Sequence, residues 1–571
     1  MYTDYLLASN YSPALRRLHQ AVPNFQLQRW PTAIVPLLFF CLGLALLPMA
    51  GVQDDEVLFA TAVFDVPTST VFDTHVFHRE IPLMLLPYLG ALKSWIYFPI
   101  LWRIRPSYLT IRLPVLLTGT VTIWLFMWLL EKAHGRRVAW VGGLLLATDS
   151  VYLLTTCFDW GPVALQHLLA LGGMALLLKF TFNGKRSTLF WGFFWFGVAL
   201  WDKALFLWLF SGLGVAAAAV FPRELWSRCS PKNLGLAAAG LLLGALPLVA
   251  YNVVSNFDTF RSNSFSLSQF SSRLHALRIT WDGEILFEYM VHAPWAPGTP
   301  RAPSTPLVRI SGEVHSLAGF RYHYYNQMEP AFWVALALVP LVWLASEGRG
   351  QQGRRARKTM LFCLIAMGVA WFQMAITKDA GLGAHHVTLL WPLPQWFLAV
   401  TFVEAAALRP LQWKNAGAIL LVSAVLFLAV DNLLLTNEYF YQLATYGATK
   451  SWNDAIFRLS DEVGHIETDH LVLDDWGIMN PLIALHRDRL PLLYADQMFL
   501  DPAIDAPTRK WQEAWLDDVW IGHTPQFQQW AGANERIVRV ARAAGFEKKM
   551  IETVPDRNGR LVFEIFRFVR K

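Results

Sequence analysis

TAIVPLLFFCLGLALLPMAGVQDDE, residues 32–56, runs from an apolar stretch into three consecutive acids with only Gly51-Val52-Gln53 between them. A bilayer's hydrocarbon core is about 30 Å thick, so roughly 20 apolar helical residues cross it. Residues 32–50 meet that length. A carboxylate cluster is costly in hydrocarbon and tolerable at the lipid–water boundary. Asp54-Asp55-Glu56 therefore reads as the edge of a first membrane span. The chain is polar up to Arg29, so 32–50 reads as an anchoring span and not a cleaved signal.

Working outward, similar apolar stretches follow at 111–131, 138–156, 163–180, 188–201, 204–221, 233–254, 330–346, 359–377, 387–404 and 416–434. The fold class expected is a polytopic α-helical membrane protein with about eleven spans. Composition agrees: of 571 residues 55% are hydrophobic and only 16% charged, against about 25% charged in a soluble domain. These proportions exclude a disordered chain, a collagen and an ordinary soluble enzyme. Four scattered cysteines exclude a disulfide scaffold and read as packed apolar side chains. The net charge of +6 sits in short loops between spans, so it reports membrane topology and not nucleic-acid binding.

One further stretch, 81–101, is ambiguous, and charge decides it. With a cytoplasmic N-terminus and 81–101 not crossing, segments 1–31, 132–137, 181–187, 222–232, 347–358 and 405–414 lie inside and hold 18 lysines and arginines. The short outer loops 51–80, 157–162, 202–203 and 378–386 hold one, none, one and one. Letting 81–101 cross would turn most of the basic loops outward, against the positive-inside bias. The stretch therefore reads as interfacial helices along the outer surface, interrupted by Pro82, Pro87 and Pro99 and rich in Tyr88, Trp95, Tyr97 and Trp102. Residues 1–434 then form a membrane domain with external loops 51–110 and 256–329. Residues 435–571 form a small extracytoplasmic α/β domain.

In that tail, His470–Asp474 reads as a strand, Asp475-Trp476-Gly477 as a turn and 478–486 as a helix. Val519–Gly522 reads as a strand and Asn534–Ala544 as an amphipathic helix. Lys548–Val554 and Leu561–Val569 read as a hairpin.

No phosphate loop of the GxxxxGK[ST] type, CxxC pair or HExxH helix is present. Charges instead converge on the outer edge from five separate places in the chain. Asp54, Asp55 and Glu56 follow the first span, and Arg79 opens the interfacial stretch. Asp159 ends the third span, Lys203 lies between two later ones, and His385-His386 precede the tenth. Asp149, midway along the third span, reads as a cap on a local break or a bond to a neighbouring helix. Trp281 and Trp295 in the second external loop are candidates for stacking on a saccharide.

Asp55-Glu56 after the first span, Ile81-Pro82-Leu83 at the loop's return, Arg112-Leu113-Pro114 and Asp159 give this sequence its likeness. It resembles the polyprenyl-phosphate-dependent glycosyltransferases of the GT-C class, in particular the glycosyltransferase 39 group of protein O-mannosyltransferases and lipid A aminoarabinose transferases. The likeness covers roughly the first 220 residues, with Lys203 and His386 matching more loosely. It implies a GT-C-like fold, a polyprenyl-phosphate sugar donor and a lipid, glycan or protein acceptor. It implies an external-face transfer by inverting single displacement. Asp55 is then the base, with Glu56 or Asp54 orienting it and Asp159 steering it or binding acceptor. Lys203 and Arg79 are the cations for the departing phosphate, and His385 or His386 a hydrogen-bond donor. Carboxylate plus imidazole is also a donor set suited to a divalent metal ion, though no spacing here shows one. A transporter or flippase of lipid-linked saccharides is the alternative reading. Such a protein should place its polar groups near mid-membrane.

Overall fold

The computed structural model describes residues 33–571 except 160, 262–264, 292–298, 319–323, 347–348, 379–382, 409–414 and 496–514. The N-terminal segment before the first span and Trp295 lie outside the described residues.

Each of the eleven apolar stretches is a helix or a bent pair of helices. Five are long and apolar enough to cross a bilayer alone: Tyr108–His134, Val163–Asn183, Met328–Ala345, Gly350–Ile376 and Ala416–Tyr446. Three bent pairs raise the number to eight. The expected eleven is not reached by this measure. Ile34–Leu46, Arg186–Asp202 and Phe206–Val220 have 13, 17 and 15 residues, short of the length a straight span needs.

The bends have local causes. Arg136–Thr148 and Ser150–Cys157 meet at 57° across Asp149. Its backbone is extended, and its Oδ1 accepts from Tyr152 N at 2.8 Å, capping the second helix. Its Oδ2 accepts from Gln395 Nε2 at 2.7 Å and Trp391 Nε1 at 3.3 Å. Both expected roles, cap and interhelical bond, fall to this one carboxylate. Pro231–Gly244 and Leu246–Val254 meet at 70°. Glycines let the first of these lie against Arg186–Asp202. A Cβ on Gly240 or Gly244 would come within 2.4 or 2.3 Å of the Phe190 or Phe194 carbonyl.

The segment 51–110, expected as an external loop, departs from its expected structure. Residues 79–90 are not interfacial helix. Phe72–Val76 (β1), Arg79–Leu86 (β2) and Leu89–Gly90 (β3) form an antiparallel sheet, and helix begins only at Leu92, running to Arg103. The physical reason is chain geometry. Pro82 and Pro87 push Ile81 and Leu86 out of the helical region. Phe77 and His78, with φ of 47° and 65°, close a two-residue hairpin of the kind that matches strand twist.

The C-terminal sheet has the order β5-β4-β6-β8-β7, with β4 Leu471–Leu473, β5 Leu492–Tyr494, β6 Val519–His523, β7 Phe546–Pro555 and β8 Leu561–Arg570. β4 runs parallel to β5 and β6, and the rest pair antiparallel. Alternate residues divide between two cores. Val472, Trp520, Phe566 and Phe568 pack with Ile537 and Ala541 of helix Ala533–Ala543. Leu471, Leu473, Val519, Ile521 and Ile565 face the other way and join Leu482, Val57, Phe59 and Ala60. That second core ties the C-terminal unit directly to helix Asp54–Thr61.

Candidate active site

Helix Asp54–Thr61 begins where its sequence says it should. Gln53 is the N-cap, Glu56 completes a reciprocal capping box, and three acids fill the first turn at the positive end of the helix dipole. Consecutive helical residues point about 100° apart, so the three carboxylates enter three environments. Asp54 Oδ2 accepts from Asn480 Nδ2 at 2.8 Å, a contact to the C-terminal unit. Glu56 is clamped by Arg112, whose Nε and Nη2 reach its two oxygens at 2.6 and 2.9 Å. Arg112 also donates to the carbonyls of Leu47, Ala50 and Gly51. Among the described residues, Asp55 has only Gln53 Nε2, at 3.3 Å, as a hydrogen-bond donor. Burial pushes its carboxyl above the usual range, against that bond and the nearby charge of Lys203. Asp55 is therefore the acid of the three least committed to holding the fold.

Lys203 is 2% exposed. β3 fixes its backbone: Leu89 bridges to Lys203, Ala204 N donates to Tyr88 O at 2.9 Å, and Trp201 Nε1 donates to Leu83 O at 2.8 Å. Its Nζ lies 3.7 Å from where a Cβ on Gly161 would stand, beside the loop of Asp159. Burial lowers the Lys203 pKa to about 8, opposed by Asp159, Asp202 and Asp55. Asp159, also buried, pairs with Lys93 Nζ at 2.9 Å through Oδ2 and accepts from Val163 N through Oδ1. Lys93 donates further to the carbonyls of Asp159 and Gly161. Asp202 Oδ2 accepts from Gln166 Nε2 at 2.7 Å. His385 and His386, with ring centroids 4.1 Å apart, both feel the charge of Lys203. The Tyr88 and Tyr289 hydroxyls are raised by burial and, next, by the charge of Asp55.

The structure thus gathers Asp55, Asp159, Lys203 and the histidine pair around one centre. It does not bring in Arg79. That residue stands exposed near the tip of the β1–β2 hairpin, with its guanidinium 4.8 Å from the Trp102 ring centroid. Trp281 is buried against Phe332 and Trp391, so it offers no face to a saccharide. Lys93, Asp202, Gln166, Tyr88, Tyr289 and Asn480 join the centre's surroundings without having been singled out by sequence. Lys93 carried a usable signal as a lone cation on an apolar helix, where a partner is required.

Asp159 pairs with Lys93 and Asp202 accepts from Gln166, and among the described residues no group of three or more His, Cys, Asp or Glu side chains stands close enough to hold a metal ion.

Asn480 reports on how the C-terminal unit serves the centre. It holds Asp54 through its side chain, and its carbonyl accepts from Thr61 Oγ1 at 3.2 Å, gripping both ends of the acid helix. Asn480→Ala is expected to lower turnover about three- to tenfold, as loss of one charge-assisted bond allows, with little change in donor KM. Steady-state kinetics of the purified variant check this.

The apolar helices make the chain an integral membrane protein, and its fold resembles that of solved GT-C glycosyltransferase structures. The solved structure of ArnT from Cupriavidus metallidurans in the apo state aligns with 93% of this chain and 96% of its own, at 14% identity and a TM-score of 0.52. The structure of the same protein bound to undecaprenyl phosphate aligns over the same shares at 15% identity and a TM-score of 0.50. At that identity the likeness is one of fold. No protein-family model and no curated protein sequence matches the chain.

Proposed function

We propose that this protein is an integral-membrane glycosyltransferase that moves a sugar from a polyprenyl-phosphate donor to an acceptor hydroxyl or phosphate at the outer face of the membrane. The observation that carries this reading is the meeting of Asp55, an under-committed carboxylate, with the buried cation Lys203. It occurs in a fold shared with a protein solved with undecaprenyl phosphate bound. For a hydroxyl acceptor, its oxygen attacks the anomeric carbon while Asp55 takes its proton. The bond from that carbon to the donor's phosphate oxygen breaks, and the electron pair leaves with the lipid phosphate. One displacement inverts the centre. Lys203 stabilises the charge growing on the leaving phosphate, and being preorganised it needs no rearrangement to do so. Asp159, held by Lys93, keeps the Gly161 turn against Lys203. His385 or His386 supplies a hydrogen bond. Asp54 and Glu56 hold the base-bearing helix in place.

The test is incubation of purified protein with labelled polyprenyl-phosphate sugars, with and without EDTA. Lipid-phosphate release matched by glycosyl transfer, insensitive to EDTA, is expected. Vectorial movement of donor without bond cleavage would replace this reading with the transporter, which the three bent helix pairs favour, since discontinuous helices are common around transported substrates.

The pH profile should separate the two charged partners. Asp55 must be ionised to act as base, so transfer rises with pH through its elevated pKa. Lys203 must be protonated to stabilise the phosphate, so transfer falls again near pH 8. Lys203→Arg, which keeps its proton throughout, should move the alkaline limb upward by at least about one unit. An unmoved limb would assign that ionisation to another group.

A further inference from the structure

Helix Val163–Asn183 leaves the candidate active site, where Val163 N donates to Asp159 Oδ1, and ends 21 residues later. Helix Arg186–Asp202 returns to Lys203. At 1.5 Å per residue, the turn between them lies about 30 Å from that centre, the thickness of a bilayer's hydrocarbon core. Gly184, at φ 64°, ends the first helix in the left-handed region and lets the next begin two residues on. A cavity of about 440 Å³ opens beside this turn, lined by Phe180, Gly184, Arg186, Ser227, Arg228 and Asn233.

The two arginines are held in place. Arg228 Nη1 and Nη2 donate to the Phe180 and Thr181 carbonyls at 3.3 and 3.0 Å, with the guanidinium 5.0 Å from the Phe180 ring centroid. Asn233 joins the pair: its Oδ1 accepts from Arg186 Nε at 3.2 Å, and its Nδ2 donates to the Arg228 carbonyl at 2.9 Å. Among the described residues neither arginine forms an ion pair. Residues 179–187 and 222–232 hold six lysines and arginines and one acid, Glu224, which pairs with Lys358 at 2.5 Å. The charges also stand against the helix dipoles. Helices Arg186–Asp202 and Pro231–Gly244 both begin here, with Arg186 and Lys232 but no acid in their first turns. A cation at the positive end of a helix is unfavourable, and an anion between the two offsets it. Next in sequence to the lining, Phe182, Leu225, Leu234 and above all Trp226, at 84%, stand exposed. At the end of a membrane span such side chains meet lipid.

Topology alone explains a positive loop at a span end. It does not explain two arginines fixed about one cavity, at helix ends that disfavour cations and beside an uncovered tryptophan. We propose that this cavity binds the headgroup of an anionic phospholipid, in the leaflet opposite the candidate active site. The phosphate lies between Arg186 and Arg228, and the acyl chains leave over Phe182 and Trp226. Basic pockets between membrane helices suit acidic headgroups for this reason, and the planar guanidinium matches phosphate oxygens in pairs.

The experiment exchanges the full-length protein in detergent micelles with equal amounts of phosphatidylglycerol and phosphatidylcholine, with and without inorganic phosphate. Native mass spectrometry counts the lipid retained. Phosphatidylglycerol should be retained at least about fivefold over phosphatidylcholine, and Arg186→Gln should lose about fivefold, the effect of one basic side chain at an anionic surface. Ser227→Trp fills the cavity without changing charge and should lose as much. Arg223→Gln removes a charge outside the cavity and should change retention by less than about twofold. Thermal unfolding checks the fold of each variant, and if Arg186→Gln does not fold, Ser227→Trp against Arg223→Gln decides. Equal retention of the two lipids, or retention unchanged in Ser227→Trp, would overturn the proposal. So would equal losses in Arg223→Gln and Arg186→Gln, the mark of diffuse attraction. Displacement of the lipid by millimolar inorganic phosphate would make the cavity a site for a soluble anion and overturn the lipid assignment.

Discussion

Asp55→Asn should lower glycosyl transfer by on the order of a thousandfold, within the range for loss of a general base, and leave the fold intact. The amide keeps the shape of the carboxylate, and its oxygen still accepts from Gln53 Nε2. Stability should not fall, and the reason is electrostatic. Burial raises the Asp55 pKa in the folded protein, so folding disfavours the charged form. That cost is absent below the unfolded-state pKa and grows as pH rises toward the folded one. A neutral amide removes it at neutral pH. Wild type and variant should therefore unfold at similar temperatures, with the variant equal or slightly higher, the usual relation where a site is kept strained for function. Asp55→Glu keeps the charge but moves it by one methylene, and should retain a few per cent of activity. Transfer kinetics with thermal unfolding in the same detergent decide the matter. Near wild-type turnover in Asp55→Asn would remove the base from this residue.

How much of this was legible in the sequence depends on the kind of signal. Apolar runs and acid placement marked the helices and the ends where charge gathers, because burial in lipid and charge at a boundary act on composition alone. The break at Asp149 was readable for the same reason: a carboxylate amid apolar residues needs partners, and Tyr152, Trp391 and Gln395 provide them. β4, β6, the β7–β8 hairpin and the helices at 479–486 and 533–543 followed from alternation and turn residues, whereas the short β5 and helix Ala455–Val463 were not read. The β1–β2 hairpin was not legible, because its turn is Phe77-His78 where a sequence reader looks for Asn-Gly. Asp55, Asp159 and Lys203 stood out as charges at span ends. Their division of labour did not, since it depends on partners distant in the chain: Lys93 for Asp159, Arg112 for Glu56, Asn480 for Asp54. Arg79 shows the converse. Local order placed it among the cations, but a hairpin invisible in the sequence carries it away onto Trp102.

Arg112→Met should be the most destabilising single change in the chain's first half. The guanidinium is 1% exposed, and five hydrogen bonds tie it to Glu56 and to the carbonyls of Leu47, Ala50 and Gly51. Those carbonyls follow helix Ile34–Leu46, where the chain turns toward the acid helix. Removing the arginine strands a buried carboxylate and three acceptors together, a loss of about 3–5 kcal/mol for the charge alone. Lysine cannot substitute, because one ammonium has three donors and no planar fork. Glu56→Gln leaves the opposite charge unpaired but spares the three carbonyl bonds, so it should cost less. The paired variant Arg112→Met/Glu56→Gln removes both charges and should be more stable than Arg112→Met alone. Thermal unfolding of the four proteins gives the coupling directly. The same set tests the division of labour in the acid triple. If Glu56 only holds the helix, Glu56→Gln lowers the unfolding temperature while turnover per folded molecule falls far less than in Asp55→Asn. A loss of turnover matching Asp55→Asn, with the fold intact, would make Glu56 part of the proton relay and not its scaffold.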